Sequence, residues 1–282
     1  MSKVKNLAIS IRERLSQMAI KQKIPFKNLE TQFLLERLIV RLLTHPKLHD
    51  RLIFKGGYVG LRVYHSPRYT IDVDAVTFEN RPEALATMAK ETIEQELGDG
   101  AWFRLESSSA LKIREGHEGV RLNFRGGVGE VLKNLQKAQR IQLDIGYGDP
   151  VTPGPVEVET PYILGKGTLC WKVYPIETTV AEKIHALITR PSGNSRAKDI
   201  FDLYYLLPKC QKKVLHEAIV ATFTFRRDPL PHSFEEALKK IDPTRLKAGW
   251  GSAKATIPGD LNFDDLFQEV INMCSTLSFA SK

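Results

Sequence analysis

Two aspartates one residue apart, Asp72 and Asp74, are the residues of this 282-residue chain whose types and spacing most directly suggest chemistry. They lie in segment 69–76, whose alternation of polar and apolar residues predicts a β-strand. Side chains alternate across a strand, so both carboxylates point to the same face. Adjacent carboxylates repel each other unless a cation neutralises them, and their oxygen atoms are ligands that Mg²⁺ and Mn²⁺ prefer. The pair therefore predicts a metal site; the alternative is a pair of solvated surface acids.

A third carboxylate, Asp144, lies in a second predicted strand, 140–145. Ile141, Leu143 and Ile145 alternate with it, so Asp144 projects from the face opposite these apolar side chains. If the two strands are neighbours, the three carboxylates meet at one edge of a sheet. Such an arrangement is typical of sites that bind two metal ions for phosphoryl transfer. The alternative for Asp144 is a solvated strand residue.

A glycine pair, Gly56 and Gly57, follows Lys55 between a predicted strand and a predicted short helix. Glycines at such a position let the backbone approach a phosphate group, and the start of a helix offers N–H groups as donors. A plain turn is the alternative. The two interpretations differ only when the glycines are considered together with the residues that follow.

The order of these residues resembles the DNA polymerase β-like nucleotidyltransferase superfamily, in which a Gly-Gly or Gly-Ser turn precedes an Asp-x-Asp strand. A longer string is similar to the AbiEii branch, the abortive-infection and type IV toxin nucleotidyltransferases. That string is Lys55-Gly-Gly57, followed by Arg68-x-Thr70-x-Asp72-x-Asp74.

A second region strengthens the resemblance. Val180-Ala-Glu-Lys183 lies in one predicted helix, and Arg196-Ala-Lys198-Asp199-Ile-Phe-Asp202 begins the next. This is similar to the C-terminal signature of the family, an Ala-Glu-Lys helix followed by an Arg/Lys-Asp-x-x-Asp helix. The resemblance covers roughly residues 52–207. Tyr58 departs from it, because the family more often has a small hydroxyl residue there.

The resemblance implies an enzyme that transfers a nucleotide from a nucleoside triphosphate to an acceptor and releases pyrophosphate. It implies that Mg²⁺ or Mn²⁺ is bound by Asp72, Asp74 and Asp144. The implied catalytic residues are these three aspartates with Lys183 and Asp199. The implied nucleotide-binding residues are Lys55, Gly56, Gly57, Arg68, Thr70 and Lys183.

Lys183 and Asp199 also have simpler interpretations. Lys183 borders the buried stripe of its helix, so its stem could cover apolar surface while the ammonium group reaches water. Asp199 and Asp202 share a helix face, and the choice between them as the catalytic acid stays open. Asp202 could instead cap the helix or form a local ion pair with Arg196 or Lys198.

The acceptor implied by the resemblance is RNA, with the tRNA 3′ end favoured, and a cognate antitoxin protein is implied as a partner. The net charge of +8 and the isoelectric point near 9.3 are compatible with a polyanion. Basic clusters that could guide RNA are Lys133 with 137–140, 190–198, and Arg226 with Arg227. Two alternatives are a nucleotidyltransferase with a small-molecule or protein acceptor, and a non-catalytic module of the same fold.

Composition excludes several classes of protein. With 42% hydrophobic and 26% charged residues, the chain is neither disordered nor fibrous. Its three cysteines form no CxxC pair, which argues against a disulfide framework or a zinc ribbon. Charged residues interrupt the most apolar stretch, 33–43, so we expect a soluble cytoplasmic protein without a membrane partner.

The pattern of elements predicts an α+β fold of the polymerase β-like type. We expect N-terminal helices up to residue 48, then a mixed sheet with strands at 69–76, 110–114, 119–124 and 140–145. Segment 126–138 is expected to be a glycine-rich turn with a short helix, and 148–168 a connector rich in proline and glycine. Residues 1–165 would form the nucleotidyltransferase core, and 166–282 a mostly helical domain that completes the active site.

Overall fold

The computed structural model describes residues 3–79, 82–113, 117–190 and 196–277. The chain forms two compact units, each built from segments that are not contiguous in the sequence. Unit 1 comprises Met1–Tyr58, Thr70–Gly148 and Glu157–Val173, and unit 2 comprises Val59–Tyr69, Asp149–Val156 and Tyr174–Lys282. The division at residue 165 into a transferase core and a helical domain stays a prediction.

Unit 1 contains a seven-stranded mixed sheet. Its strands are β1 (Ile53–Lys55), β2 (Asp72–Thr77), β3 (Ala101–Ile113), β4 (His117–Val128), β5 (Gln139–Tyr147), β6 (Val156–Pro161) and β7 (Thr168–Val173). Their order is β3-β4-β5-β2-β1-β7-β6. The pairs β2–β5 and β1–β7 are parallel, whereas β1–β2, β3–β4 and β4–β5 are antiparallel. With the helices described below, this sheet confirms the predicted α+β fold class.

The helices of the N-terminal part are α1 (Lys3–Gln22), α2 (Phe26–Thr44), α3 (Pro46–Arg51), α4 (Gly56–Arg62) and α5 (Pro82–Ile93). Pro25 precedes α2 and separates it from α1, as its lack of an N–H donor predicts. One apolar face of α2 is buried: Leu34, Leu38 and Leu42 have no exposed surface. Burial of each such side chain stabilises the fold by roughly 1.5–3 kcal/mol. This helix is therefore a central part of the core of unit 1.

Arg41 is a charged residue in that core. It lies on α2 with no exposed surface. Its guanidinium donates to both carboxylate oxygens of Asp99 at 2.8 Å and also to the backbone carbonyls of Arg37, Gln95 and Ala101. Because every one of these acceptors would lose its partner, removal of Arg41 would be far more costly than removal of an exposed arginine.

The strands β3 and β4 are longer than the sequence pattern predicts. The predicted strand 110–114 is the end of β3, and its last residue lies outside the described residues. Gly126 and Gly127, expected in a turn, are part of β4. A side chain at either glycine would meet the rings of Phe103 or Trp102 on β3. The glycines thus make room for aromatic rings across the ladder, and only the later segment forms the expected short helix, a 3₁₀ turn at Leu135–Lys137.

The predicted connector 148–168 also contains a strand. Residues 156–161 form β6 at the edge of the sheet, and Pro161 ends it. An edge strand tolerates proline because it pairs on one side only. The prolines and glycines of this segment predicted a connector, but the backbone of β6 pairs with its neighbour β7.

Unit 2 is built around α-helices. They are α6 (Ile176–Thr189), α7 (Arg196–Leu206), α8 (Lys212–Arg226), α9 (Phe234–Lys239), α10 (Pro243–Lys247), α11 (Trp250–Lys254) and α12 (Phe263–Cys274). Their apolar faces form one core, in which Val180 of α6, Ile200 of α7 and Val270 of α12 have no exposed surface. None of the helices in the described part of the chain has both the length and the apolar character that crossing a bilayer requires.

Candidate active site

The three predicted metal-binding aspartates lie on two neighbouring strands of unit 1. Asp72 and Asp74 are on β2, and Asp144 is on β5, directly opposite Asp74 in the parallel pair. Neighbouring strands are about 4.8 Å apart, and opposite residues share a face. The expectation that these strands are neighbours is therefore confirmed. It follows that three carboxylates belong to one face of the sheet.

Two cations extend this row on either side. Lys55 of β1 lies opposite Asp74, and Arg121 of β4 lies opposite Asp144. Across four strands the row runs Lys55, Asp74, Asp144, Arg121, so that each terminal residue is positive and each central residue negative. Lys55 was predicted from the sequence to bind the nucleotide, whereas Arg121 was missed. The alternation of Val120 and Leu122 with Arg121 could have placed it on the polar face.

Arg121 binds Asp144 through two parallel hydrogen bonds. Its Nε donates to Oδ1 at 2.9 Å and its Nη2 to Oδ2 at 2.7 Å, while Gln142 donates to Oδ2 at 3.2 Å. The Arg121 side chain is 39% exposed and that of Asp144 15% exposed. The hydrogen bonds to Asp144 raise the pKa of Arg121 against the effect of desolvation, and the charges of Asp144, Asp74 and Asp72 add to the increase.

Thr70 and Gly56 lie against the two aspartates of β2. The hydroxyl of Thr70 donates to Oδ1 of Asp72. Gly56 has a φ of +77°, which favours glycine, and a Cβ at this position would overlap Oδ2 of Asp74. Both Thr70 and Gly56 were predicted to bind the nucleotide, and the structure places each against an aspartate. Gly57 is the second residue of α4, and a nucleotide contact there stays a prediction.

Tyr58, the departure from the family pattern, is a core residue. It is buried, its hydroxyl donates to the carbonyl of Gln32 at 3.1 Å, and its ring lies 6.1 Å from that of Trp171. Tyr58 therefore packs in unit 1, and its hydroxyl is hydrogen-bonded to the backbone of α2.

The donor chemistry of Asp72 and Asp74 fits a hard divalent cation. Mg²⁺ is usually bound through one or two carboxylates and completes its shell with water and substrate phosphates. Within residues 3–79, 82–113, 117–190 and 196–277, no group of three or more His, Cys, Asp or Glu residues is placed to hold a metal ion. Both oxygens of the third carboxylate, Asp144, accept hydrogen bonds from Arg121 in this structure.

Unit 2 contains a second charged cluster, which includes the predicted Lys183 and Asp199. Nζ of Lys183 on α6 lies 2.8 Å from Oδ1 of Asp199 and 2.6 Å from Oδ2 of Asp202, both on α7. Arg196 binds Asp199 at 2.6 Å. Arg68 binds Asp202 with Nε and Nη2, each at 2.8 Å. The five groups alternate in sign from Arg68 to Arg196.

Arg68 was predicted to bind the nucleotide and was missed as a partner of Asp202. In the structure it is buried, and its two bonds to Asp202 hold the segment that precedes β2. The backbone N–H of Tyr69 donates to the carbonyl of Thr256 at 2.8 Å and fixes the same segment within unit 2. A nucleotide contact of Arg68 stays a prediction.

The charges in this cluster support one another. Burial alone raises the pKa of Asp202, but Lys183 and Arg68 outweigh it and lower the pKa to about 2. Burial alone lowers the pKa of Lys183, but Asp199 and Asp202 outweigh it and raise that pKa. Lys183 and Asp202 therefore stabilise each other's charged form, and Lys183 is an ammonium group among carboxylates rather than a lysine reaching into water.

The basic clusters differ in their surroundings. Arg226 is largely buried and binds Asp149 within unit 2, so it is part of the fold rather than a surface contact for RNA. Residues 191–195 of the second cluster lie outside the described residues, and Arg196 at its end binds Asp199. Lys133, Lys137 and Arg140 of the first cluster are exposed. Arg227, at the C-cap of α8, is also exposed.

The lowered pKa of Asp202 predicts how stability changes in acid. A carboxylate with a depressed pKa stabilises the fold above the unfolded pKa of about 3.9 and loses that contribution as the pH falls through about 2. We expect Asp202→Asn to unfold at lower urea concentration than the wild-type protein at pH 7, with the difference shrinking below about pH 4. Asp260→Asn, which breaks an exposed pair with Lys254, is the control and should change little at any pH. A difference for Asp202→Asn that persists unchanged to pH 2 would contradict this account.

Comparison with known proteins agrees with the geometry. A family model described as "Nucleotidyl transferase AbiEii toxin, Type IV TA system" matches residues 37–269. No curated protein matches the chain. Two crystal structures of Helicobacter pylori proteins have a similar fold at 17% identity. JHP933 has a TM-score of 0.51, covering 89% of this chain and 91% of that one. A protein described as a candidate nucleotidyltransferase has a TM-score of 0.53, covering 90% and 96%.

These structures, at so low an identity, support the fold alone. The family model spans most of the chain and includes both the aspartates of unit 1 and the lysine–aspartate cluster of unit 2. The resemblance noted in the sequence is thereby confirmed. The chain belongs to the AbiEii family of nucleotidyl transferase toxins of type IV toxin–antitoxin systems.

Proposed function

We propose that this nucleotidyltransferase uses Mg²⁺ or Mn²⁺, held by Asp72 and Asp74, to transfer a nucleotide from a nucleoside triphosphate to RNA. The tRNA 3′ end is the proposed acceptor. The observation that carries the proposal is the placement of Asp72, Asp74 and Asp144 on one face of two paired strands, beside Gly56. Such a concentration of carboxylates is costly for the free protein and is suited to binding cations.

The proposed reaction is an in-line displacement at the α-phosphorus. The acceptor hydroxyl oxygen forms a bond to this phosphorus, the bond to the oxygen bridging to the β-phosphate breaks, and pyrophosphate leaves with the electron pair. The bound ion supplies positive charge to the phosphate oxygens. Asp72 and Asp74 hold it, Thr70 orients Asp72, and Asp144 either completes the metal site or accepts the proton of the hydroxyl.

The cluster of unit 2 is proposed to serve the same reaction. Three cations of the cluster, Arg68, Lys183 and Arg196, form ion pairs with Asp199 and Asp202. A group of cations is suited to binding a polyanion such as a triphosphate. We propose that Lys183 contacts the nucleotide and that Asp199 orients it, while Asp202 holds Arg68.

The metal site predicts a loss of activity without a loss of structure. Asp72→Asn and Asp74→Asn keep the shape of the side chain and remove its charge, so we expect transfer to fall at least about 100-fold. Labelled triphosphates incubated with total RNA would measure this, with circular dichroism as the check on folding. Glu79→Gln, a change of an exposed acid paired with Arg51, is the control. Wild-type rates in either aspartate variant, or in excess EDTA, would contradict a metal-dependent reaction.

Lys183 is predicted to affect the reaction and not stability alone. We expect Lys183→Ala to lower transfer at least about 100-fold at temperatures well below its unfolding midpoint, because a positioned charge is lost. The matched control is Lys213→Ala on the exposed start of α8. If the variant unfolds at lower temperature but its folded fraction transfers nucleotides at the wild-type rate, Lys183 has a structural role only.

The acceptor and the partner follow from the family. A toxin of a type IV system implies a cognate antitoxin, which we propose as a protein partner. RNA as the acceptor is supported by the excess of basic residues and by the exposed cluster Lys133, Lys137 and Arg140 in unit 1. Arg140 lies on β5 with the same parity as Asp144, so the two share a face of the strand. The cluster could thus guide a phosphodiester backbone along that face.

Charge reversal tests this surface. We expect Lys133→Glu with Lys137→Glu to weaken tRNA binding at least about tenfold and to lessen its dependence on salt, because contacts to phosphates are lost. Triphosphate binding should not change. Lys212→Glu with Lys213→Glu, an equal change of charge on α8, is the control. If the wild-type protein and the reversed variant label RNA equally, the cluster does not bind the acceptor. If only proteins or small molecules are labelled, the acceptor belongs to one of those classes and not to RNA.

A further inference from the structure

Arg121 is a charged residue beside the acids for which the transfer reaction has so far no role. It lies on β4 opposite Asp144, and both carboxylate oxygens of Asp144 accept hydrogen bonds from it. The charges of Asp72 and Asp74 also raise its pKa. Arg121 therefore supplies, from the protein itself, part of the positive charge that three adjacent carboxylates need.

The ion pair between Arg121 and Asp144 contributes little to the stability of the fold. The side chain of Arg121 is 39% exposed, and partly solvated ion pairs contribute little to stability. The strands β4 and β5 are already joined by a continuous ladder, and the neighbouring pair Leu122 and Leu143 is buried. An exposed guanidinium can exchange partners at little cost. Buried arginines such as Arg41, enclosed by five acceptor atoms, cannot.

A triphosphate is a strong competitor for such a guanidinium. Arginine binds phosphate oxygens with the same parallel pair of hydrogen bonds that it makes to a carboxylate. If the guanidinium turns from Asp144 to a phosphate, both oxygens of Asp144 become available to a cation. The same movement thus adds a ligand for the metal and a contact for the nucleotide.

We propose that Arg121 is a positioning residue that couples nucleotide binding to metal binding. In the nucleotide-free protein it holds Asp144 away from the metal site, and in the nucleotide-bound protein it contacts the triphosphate and releases Asp144. By linkage, the nucleotide then raises metal affinity by the factor by which the metal raises nucleotide affinity. This inference rests on the proposed metal site at Asp72 and Asp74.

A double-mutant cycle on the full-length protein tests the first half of the proposal, with Mn²⁺ alone as the probe and free Mn²⁺ measured by electron paramagnetic resonance. Arg121→Gln should bind Mn²⁺ about tenfold more tightly than the wild-type protein, since a nearby positive charge is lost and Asp144 is released. Asp144→Asn should change Mn²⁺ affinity less than about twofold in the wild-type background. It should weaken binding about tenfold in the Arg121→Gln background, because only there is Asp144 a ligand.

The second half is tested by the binding of a non-hydrolysable triphosphate analogue in EDTA. Arg121→Gln should weaken this binding about tenfold, and Arg121→Lys, which keeps the charge but not the paired hydrogen bonds, should weaken it less. Arg104→Gln on β3 removes an exposed charge from the same sheet and should leave both affinities unchanged. Thermal unfolding of each variant monitors folding, and Arg121→Lys carries the test if Arg121→Gln unfolds.

The outcomes separate this inference from the proposed function. If Asp72→Asn does not weaken Mn²⁺ binding, the proposed metal site itself is wrong. If Asp72→Asn abolishes Mn²⁺ binding while Arg121→Gln binds Mn²⁺ no more tightly than the wild-type protein, only the role of Arg121 is overturned. Equal effects of Asp144→Asn in the two backgrounds would likewise show that Arg121 does not control Asp144.

Discussion

Repulsion among three carboxylates on one face of two paired strands is the constraint on which the active face of unit 1 depends. Parallel pairing puts Asp74 and Asp144 opposite each other, and Asp72 is two residues away on the same face. At about 5 Å, the repulsion between Asp74 and Asp144 costs free energy that the surroundings must offset, and Asp72 adds to it from a greater distance. The neighbouring strands contribute Lys55 on one side and Arg121 on the other. These two cations offset part of that repulsion, and a bound cation would offset more of it.

Unit 2 also contains neighbouring carboxylates, and these are buried among cations. Asp199 and Asp202 are enclosed by Lys183, Arg68 and Arg196, and the signs alternate along the cluster. Low local polarity strengthens each attraction, but it also makes each group depend on its neighbours for its charge. The cluster is therefore stable as a whole and sensitive to the loss of any member. The acids of unit 1 are more exposed than Asp199 and Asp202.

Much of this arrangement could be predicted from local patterns. Alternation of side chains placed Asp72, Asp74 and Asp144 on strand faces, and helical spacing placed Lys183 beside a buried stripe. The same alternation places Arg121 on the polar face of β4, because its neighbours Val120 and Leu122 are buried apolar residues of that strand. Pairs such as Arg68 with Asp202, 134 residues apart, leave no trace in local periodicity, because tertiary packing alone brings them together. Strand β6 was concealed for a related reason: its pairing depends on a neighbour, and its composition is that of a loop.

Thr70 and Gly56 link the sequence motif to the geometry of the aspartates. Both were singled out by a resemblance to nucleotide-binding sequences, yet in the structure the hydroxyl of Thr70 donates to Asp72, and a Cβ at position 56 would overlap the carboxylate of Asp74. The hydroxyl of Thr70 restrains Asp72, and only a residue without a Cβ at position 56 leaves Asp74 its place. Under the proposed function, carboxylates held in position before binding lose less entropy when an ion and a nucleotide bind. The motif that resembles nucleotide-binding sequences therefore also determines the positions of Asp72 and Asp74. Substitution of Thr70 or Gly56 would directly displace these carboxylates, whatever its effect on a contact with phosphate.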